Sequence, residues 1–242
     1  MDYTIIIYII LGIMPSLTLL MYYLSKDLHP EPKRMILKIF LWGTLITLPV
    51  FFVQIGLSRL LDVSDISNTA YNLIYWFIII AFSEELFKYL VIKLKVINSP
   101  HLDEPIDVML YMVVAALGFA ALENVLYLFA PAGQMSFDQM ISRALIIDFV
   151  RFIGATFLHT LCSAVIGYSL ALSFCQVKRR YLSVGVGIIL ATLLHGLYDF
   201  SIMTLDGNIK FIIPAVVILT LAFLVFWGFE RLKKMKSICK IR

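Results

Sequence analysis

Residues 70–95 read AYNLIYWFIIIAFSEELFKYLVIKLK, an apolar run of spanning length into which Glu84, Glu85 and Lys88 are set. About 20 consecutive apolar residues cross the hydrocarbon of a bilayer as a helix. A charged side chain near the middle of such a helix costs roughly 2.5–3.5 kcal/mol on insertion scales, so charges this dense demand partners other than lipid. The stretch therefore decides two things together: the chain is built of membrane helices, and its function lies where those charges are hidden.

The rest of the chain agrees. Of 242 residues, 61% are hydrophobic and 15% charged, too little polar surface for a water-soluble globule. The apolar runs are too continuous for barrel strands, which alternate apolar and polar. Helices remain the way to satisfy the backbone in lipid, so the fold class is an all-α integral membrane protein. Charged and proline-containing gaps divide the chain into seven spans, residues 3–24, 35–60, 70–95, 106–130, 151–175, 181–204 and 209–230, within one polytopic domain, 1–242. The first run has no Lys or Arg before it and no small-residue cleavage site after it, which predicts a retained helix rather than a signal peptide.

Segments 25–38, 93–105, 176–180 and 231–242 hold 15 Lys and Arg, whereas the N-terminus and segments 59–69, 131–151 and 205–210 hold 4. By the positive-inside rule the N-terminus lies outside and the C-terminus in the cytoplasm of a multi-pass cell-membrane protein. The basic tail Arg231, Lys233, Lys234, Lys236, Lys240 and Arg242 then anchors the chain beside anionic lipid and implies no nucleic-acid partner. In the first cytoplasmic loop, Asp27-Leu28-His29-Pro30-Glu31-Pro32 is extended or turned, because its prolines exclude regular helix. Ser136 to Asp148 reads as an amphipathic helix along the outer interface. Cys162, Cys175 and Cys239 have no paired-ligand spacing and read as thiols.

Within the spans, Glu84 and Lys88 lie four apart on one face, which suits an ion pair, while Glu85 is rotated by about 100°. Ala116, Ala120, Glu123 and Tyr127 share a face of the fourth span, His159, Ser163 and Gly167 of the fifth, and Thr192, His195 and Asp199 of the sixth. Small residues let such faces approach closely, which predicts one buried cluster of Glu84, Glu85, Glu123, His159, His195 and Asp199. Asn124 and Arg151 read as bridges between helices, and Lys88 as local charge balance. At about 1.5 Å per residue, the cluster lies nearer the outer ends of its helices.

Carboxylates and imidazoles together supply hydrolytic chemistry. A glutamate acts as general base on water while a His polarises a carbonyl or holds its oxyanion, with Asp199 orienting His195. Alternatively Glu85, Glu123, His159 and His195 hold one zinc ion. The cofactor is thus either none or one zinc. The same residues would also suit a proton relay in a transporter, although no internal symmetry of the kind common in transporters is present.

Glu31-Pro32, Glu84-Glu85-Leu86-Phe87-Lys88, Gly118-Phe119-Ala120-Ala121-Leu122-Glu123-Asn124, His159 with Gly167-Tyr168, and His195-Gly196-Leu197-Tyr198-Asp199-Phe200 occur in this order. In that order and spacing they resemble the PrsW intramembrane proteases and, more distantly, the CAAX-protease and bacteriocin-processing family. The resemblance implies peptide-bond hydrolysis in or beside the membrane, with the Glu pair and the late His indispensable. It also implies a membrane-anchored substrate, such as a single-span anti-sigma factor cleaved at site 1 in stress signalling. Against the CAAX-type pattern, Lys88 replaces an Arg, Glu123 stands where a His is usual, and Asp199 replaces or alternates with Asn.

Overall fold

The computed structural model describes residues 3–25, 31–130, 136–175 and 179–235. The expectations for Asp27 to Pro30, Lys236, Cys239, Lys240 and Arg242, and for the Cys175 side chain, fall outside these. The described residues form helices α1 (Tyr3–Leu24), α2 (Lys33–Asp62), α3 (Asn68–Leu73), π1 (Ile74–Phe82), α4 (Ser83–Lys95) and α5 (Pro105–Leu128). They continue with α6 (Phe137–Arg151), π2 (Phe152–Thr156), α7 (Phe157–Cys175), α8 (Arg180–Thr204) and α9 (Ile209–Leu232), and no strand occurs among them. The all-α membrane class holds, and six of the helical stretches are long and apolar enough to cross a bilayer.

The expected span 70–95 is not one of those six. It runs as α3, π1 and α4 in succession, from Asn68 to Lys95. A second difference concerns Ser136 to Asp148. This segment is helical, as expected, and it runs without a break into the fifth span, opening a helical stretch of 38 residues, Phe137 to Phe174. That is about 57 Å of helix against ~30 Å of hydrocarbon, so one crossing does not require its full length. Its start is set by a reciprocal cap, in which the Gln139 amide donates to Ser136 Oγ and the Ser136 amide donates to Gln139 Oε1.

Helix α5 is the centre of the bundle, apolar on all sides and buried from Pro105 to Ala121. Its small residues decide how closely neighbours approach. A Cβ on Gly43 of α2 would strike the Ala115 carbonyl, and one on Gly118 would strike the Phe40 carbonyl. The two backbones are thus in direct contact, and Thr44 Oγ1 donates to the Gly118 carbonyl across the seam at 3.0 Å. Helices α1 and α7 also pack on α5, with α8 and α9 beyond α7. Outward faces keep large apolar side chains exposed, including Phe52, Leu60, Phe211, Leu219 and Phe223, as a lipid-facing surface requires.

Candidate functional site

The site is built on the first turn of α4. The nine-residue π-helical stretch π1 precedes Ser83, whose hydroxyl donates back to the Ile79 and Ile80 carbonyls. Such widened turns are uncommon and recur at functional sites. Directly after it, Glu84, Glu85 and Lys88 point into the bundle and are all buried; Lys88 and Glu85 have no exposed surface. An unpaired charge in such surroundings would be prohibitively costly, so the partners are the informative part.

Lys88 Nζ lies 2.8 Å from Glu85 Oε1 and 3.5 Å from Glu84 Oε2. It also donates to His159 Nδ1 at 2.9 Å and faces the Phe119 ring at 4.5 Å. Glu85 is saturated: Oε1 also meets His195 Nδ1 at 3.0 Å, and Oε2 accepts from Ser163 Oγ at 3.2 Å. Glu84 differs. Its Oε1 accepts from Gln54 Nε2 at 3.2 Å, but its buried Oε2 has no hydrogen-bond partner. Sequence spacing favoured Glu84 as the partner of Lys88 and left Glu85 free. The structure keeps the Glu84–Lys88 pair at 3.5 Å but gives Glu85 the closer contact at 2.8 Å and the further partners, because α7 and α8 present Ser163 and His195 to the Glu85 side of α4, whereas Glu84 faces the gap between the imidazoles.

The imidazoles complete the pocket. An ammonium has no acceptor, so His159 Nδ1 accepts from Lys88 and the ring proton sits on Nε2, which donates to Glu123 Oε2 at 2.7 Å. Arg151 Nη2 lies 2.9 Å from the same Glu123 oxygen. Arg151 Nε donates to Asn124 Oδ1 at 2.6 Å, and Asn124 Nδ2 donates to Thr156 Oγ1 at 2.9 Å in π2. On α8, His195 lies between Glu85 at Nδ1 and Asp199 Oδ2, 3.2 Å from Nε2. The two rings meet edge to face with centroids 5.0 Å apart. Glu123 and Asp199 keep 19% and 22% of their side chains exposed, so the pocket opens on their side.

All the residues named from the sequence, Glu84, Glu85, Lys88, Glu123, Asn124, His159, His195 and Asp199, thus come together in one connected cluster. Gln54 was not anticipated, although it is the one amide side chain in the second apolar span. That was the signal available. Ser163 was placed on the right face, and Arg151, read as a bridge, also neutralises Glu123.

Within this cluster, donor atoms of Glu84, His159 and His195 lie within 4.8 Å of one another, close enough to hold a cation. This differs from the ligand set read from the sequence. Glu85 and Glu123 meet the imidazoles on their far nitrogens, the position of carboxylates that orient a ligand. Glu84 Oε2 lies 3.8 Å from His159 Nδ1 and 3.9 Å from His195 Nε2. Zinc bonds of about 2.0–2.1 Å place tetrahedral ligands about 3.4 Å apart, so each imidazole nitrogen needs to close on Glu84 Oε2 by only a few tenths of an ångström. Formal charge agrees: the cluster holds four carboxylates, Glu84, Glu85, Glu123 and Asp199, against the two cations Lys88 and Arg151, which leaves two negative charges when both imidazoles are neutral. An orphaned buried carboxylate oxygen, two imidazoles and that charge fit one divalent ion.

Apolar membrane helices enclosing carboxylates, imidazoles and a partly open mouth define a class, the intramembrane hydrolases. Residues 31–228 match the family described as PrsW family intramembrane metalloprotease, and the chain belongs to it. It is 29% identical over 229 residues to Protease PrsW of Bacillus subtilis (strain 168), covering 94% of each chain. It is 31% identical over 193 residues to Protease PrsW of Geobacillus kaustophilus, covering 79% of this chain and 78% of the relative. With Protease PrsW of Clostridioides difficile the identity is 29% over 200 residues, 80% of this chain and 78% of the relative. No solved structure matches the chain. The protein is therefore a multi-pass intramembrane protease of the cell membrane, and the transport alternative gives way.

Proposed function

We propose that the chain hydrolyses a peptide bond in single-span membrane proteins, with a divalent ion, zinc by its donor set, held by Glu84, His159 and His195. The carrying observation is Glu84 Oε2, buried without a hydrogen-bond partner and facing a nitrogen of each imidazole. The ion would supply Lewis acidity toward water and the scissile carbonyl. Glu85 and Glu123 hold the two rings by their far nitrogens. Arg151 pairs with Glu123 and holds it in place, and Ser163 and Gln54 fix the two carboxylates of the Glu pair. Asp199, at the open side and beside His195 Nε2, is positioned to take a proton from the attacking water and return it to the leaving amine.

The orientation from the Lys and Arg distribution, N-terminus outside, puts the mouth near the outer ends of α5 and α8. That suits a first cut in a single-span substrate on its outward side, and an anti-sigma factor is the substrate class the resemblance suggests. The test is cleavage of co-expressed and then purified single-span substrates, with and without chelator, with the cut position mapped. Purified active protein is expected to hold close to one zinc per chain, lost in His195→Ala. Full activity in protein free of metal would remove the ion and make Glu84 the base. Normal cleavage by both Glu84→Gln and His195→Ala would remove the site.

A further inference from the structure

Lys88 stands at the point where the cation reading is most constrained. Its Nζ contacts Glu85 Oε1 at 2.8 Å, His159 Nδ1 at 2.9 Å and Glu84 Oε2 at 3.5 Å. Two of these atoms, His159 Nδ1 and Glu84 Oε2, belong to the donor set for a divalent ion. The ammonium consumes the His159 lone pair, because it donates and cannot accept. An ion in the pocket needs that lone pair, and a nitrogen cannot direct one lone pair to both partners. Lys88 has no exposed surface and Phe119 closes another side at 4.5 Å, so no solvent shell can take over the ammonium where it stands.

Resting on the Glu84, His159 and His195 reading, we infer that Lys88 is a resident counter-cation that holds the donors together in the ion-free protein and tunes ion affinity by competing for His159 Nδ1. It is a positioning residue. In the ion-free state its charge keeps the carboxylates of the consecutive residues Glu84 and Glu85 from repelling each other. When an ion binds, the ammonium gives up His159 and keeps Glu85, whose Oε1 lies outside the donor set. The arrangement makes the pocket stable when empty and sets its affinity lower than the three donors alone would give. A plain structural ion pair would instead leave affinity unchanged, or lower it, when Lys88 is removed.

The experiment compares the detergent-purified full chain with Lys88→Met and Lys88→Gln; the Gln variant keeps a donor to His159 and serves if the apolar one does not fold. Zinc affinity is read by competition with a chromophoric chelator, and melting is read with and without zinc. Lys88→Met, which removes both the unit positive charge and the competitor, is expected to tighten zinc binding at least about tenfold, and Lys88→Gln, which removes the charge but keeps a neutral donor, to tighten it by less. The ion-free variants should melt lower than the parent, and saturating zinc should raise their melting temperature by more than it raises the parent's. Unchanged or weaker zinc binding in the variants, with the parent binding one zinc through His195, overturns the inference alone. Absence of His195-dependent zinc in the parent and both variants overturns it together with the ion site.

Discussion

Glu85 Oε1 lies 2.8 Å from Lys88 Nζ, whereas Glu84 Oε2, on the same helical turn, lies 3.5 Å from it and has no hydrogen-bond partner. Adjacent glutamates are thereby given different tasks: one is fully engaged in holding the cluster, and the other presents a free oxygen to the pocket. Glu85→Gln leaves Lys88 buried beside a neutral amide, and breaking a buried pair in this way costs about 3–5 kcal/mol. Glu84→Gln removes no direct partner of comparable strength. The expected outcome is a clear loss of thermal stability for Glu85→Gln, and near-parental melting with abolished substrate cleavage for Glu84→Gln.

Glu123 meets His159 Nε2 at 2.7 Å and Arg151 at 2.9 Å, at the ring nitrogen other than the one nearest Glu84. Removing a carboxylate in that position typically lowers metal affinity or activity 10–100-fold, so a loss of about that size is expected for Glu123→Gln. Arg151→Met should act in the same direction through Glu123. Cleavage rates of purified variants against one substrate check both; parental rates in both would leave the His159 orientation without a function.

Gln54 donates to Glu84 Oε1 at 3.2 Å and is the contact that ties α2 to the site. A net hydrogen bond to a charged group is worth about 1.5–3 kcal/mol, and its loss frees the carboxylate to rotate. Gln54→Leu is expected to fold and insert but to cleave on the order of tenfold more slowly. Equal rates for variant and parent, measured at matched membrane levels, would show that Glu84 is held without it.

Gly43 and Gly118 mark the α2–α5 seam, where an added Cβ meets a carbonyl of the facing backbone. Overpacking in a tight interior costs typically about 1–3 kcal/mol, and neither helix can retreat while Thr44 bridges them. Gly43→Ala and Gly118→Ala should each lower the melting temperature and, by shifting α5, the activity. Gly56 and Gly185 have nothing within 4 Å of the same position, so Ala there is the control and is expected to be neutral.

The sequence by itself determined the membrane class and marked the polar residues that the structure brings together. Those properties follow from local composition: apolar runs of spanning length have one low-energy solution in lipid, and charges within them must find each other. Spacing along each helix even placed His159 with Ser163 and His195 with Asp199. It did not decide whether Glu84 or Glu85 pairs with Lys88, because i,i+3 and i,i+4 partners are both reachable and the choice depends on what neighbouring helices present. Nor did it reveal that Ser136 to Asp148 continues into the fifth span, or that Gln54 enters the site. Only the packing of α2, α7 and α8 around α4 and α5 settled those points, since long-range contacts fix which side of a helix finds partners and which side is left facing a pocket.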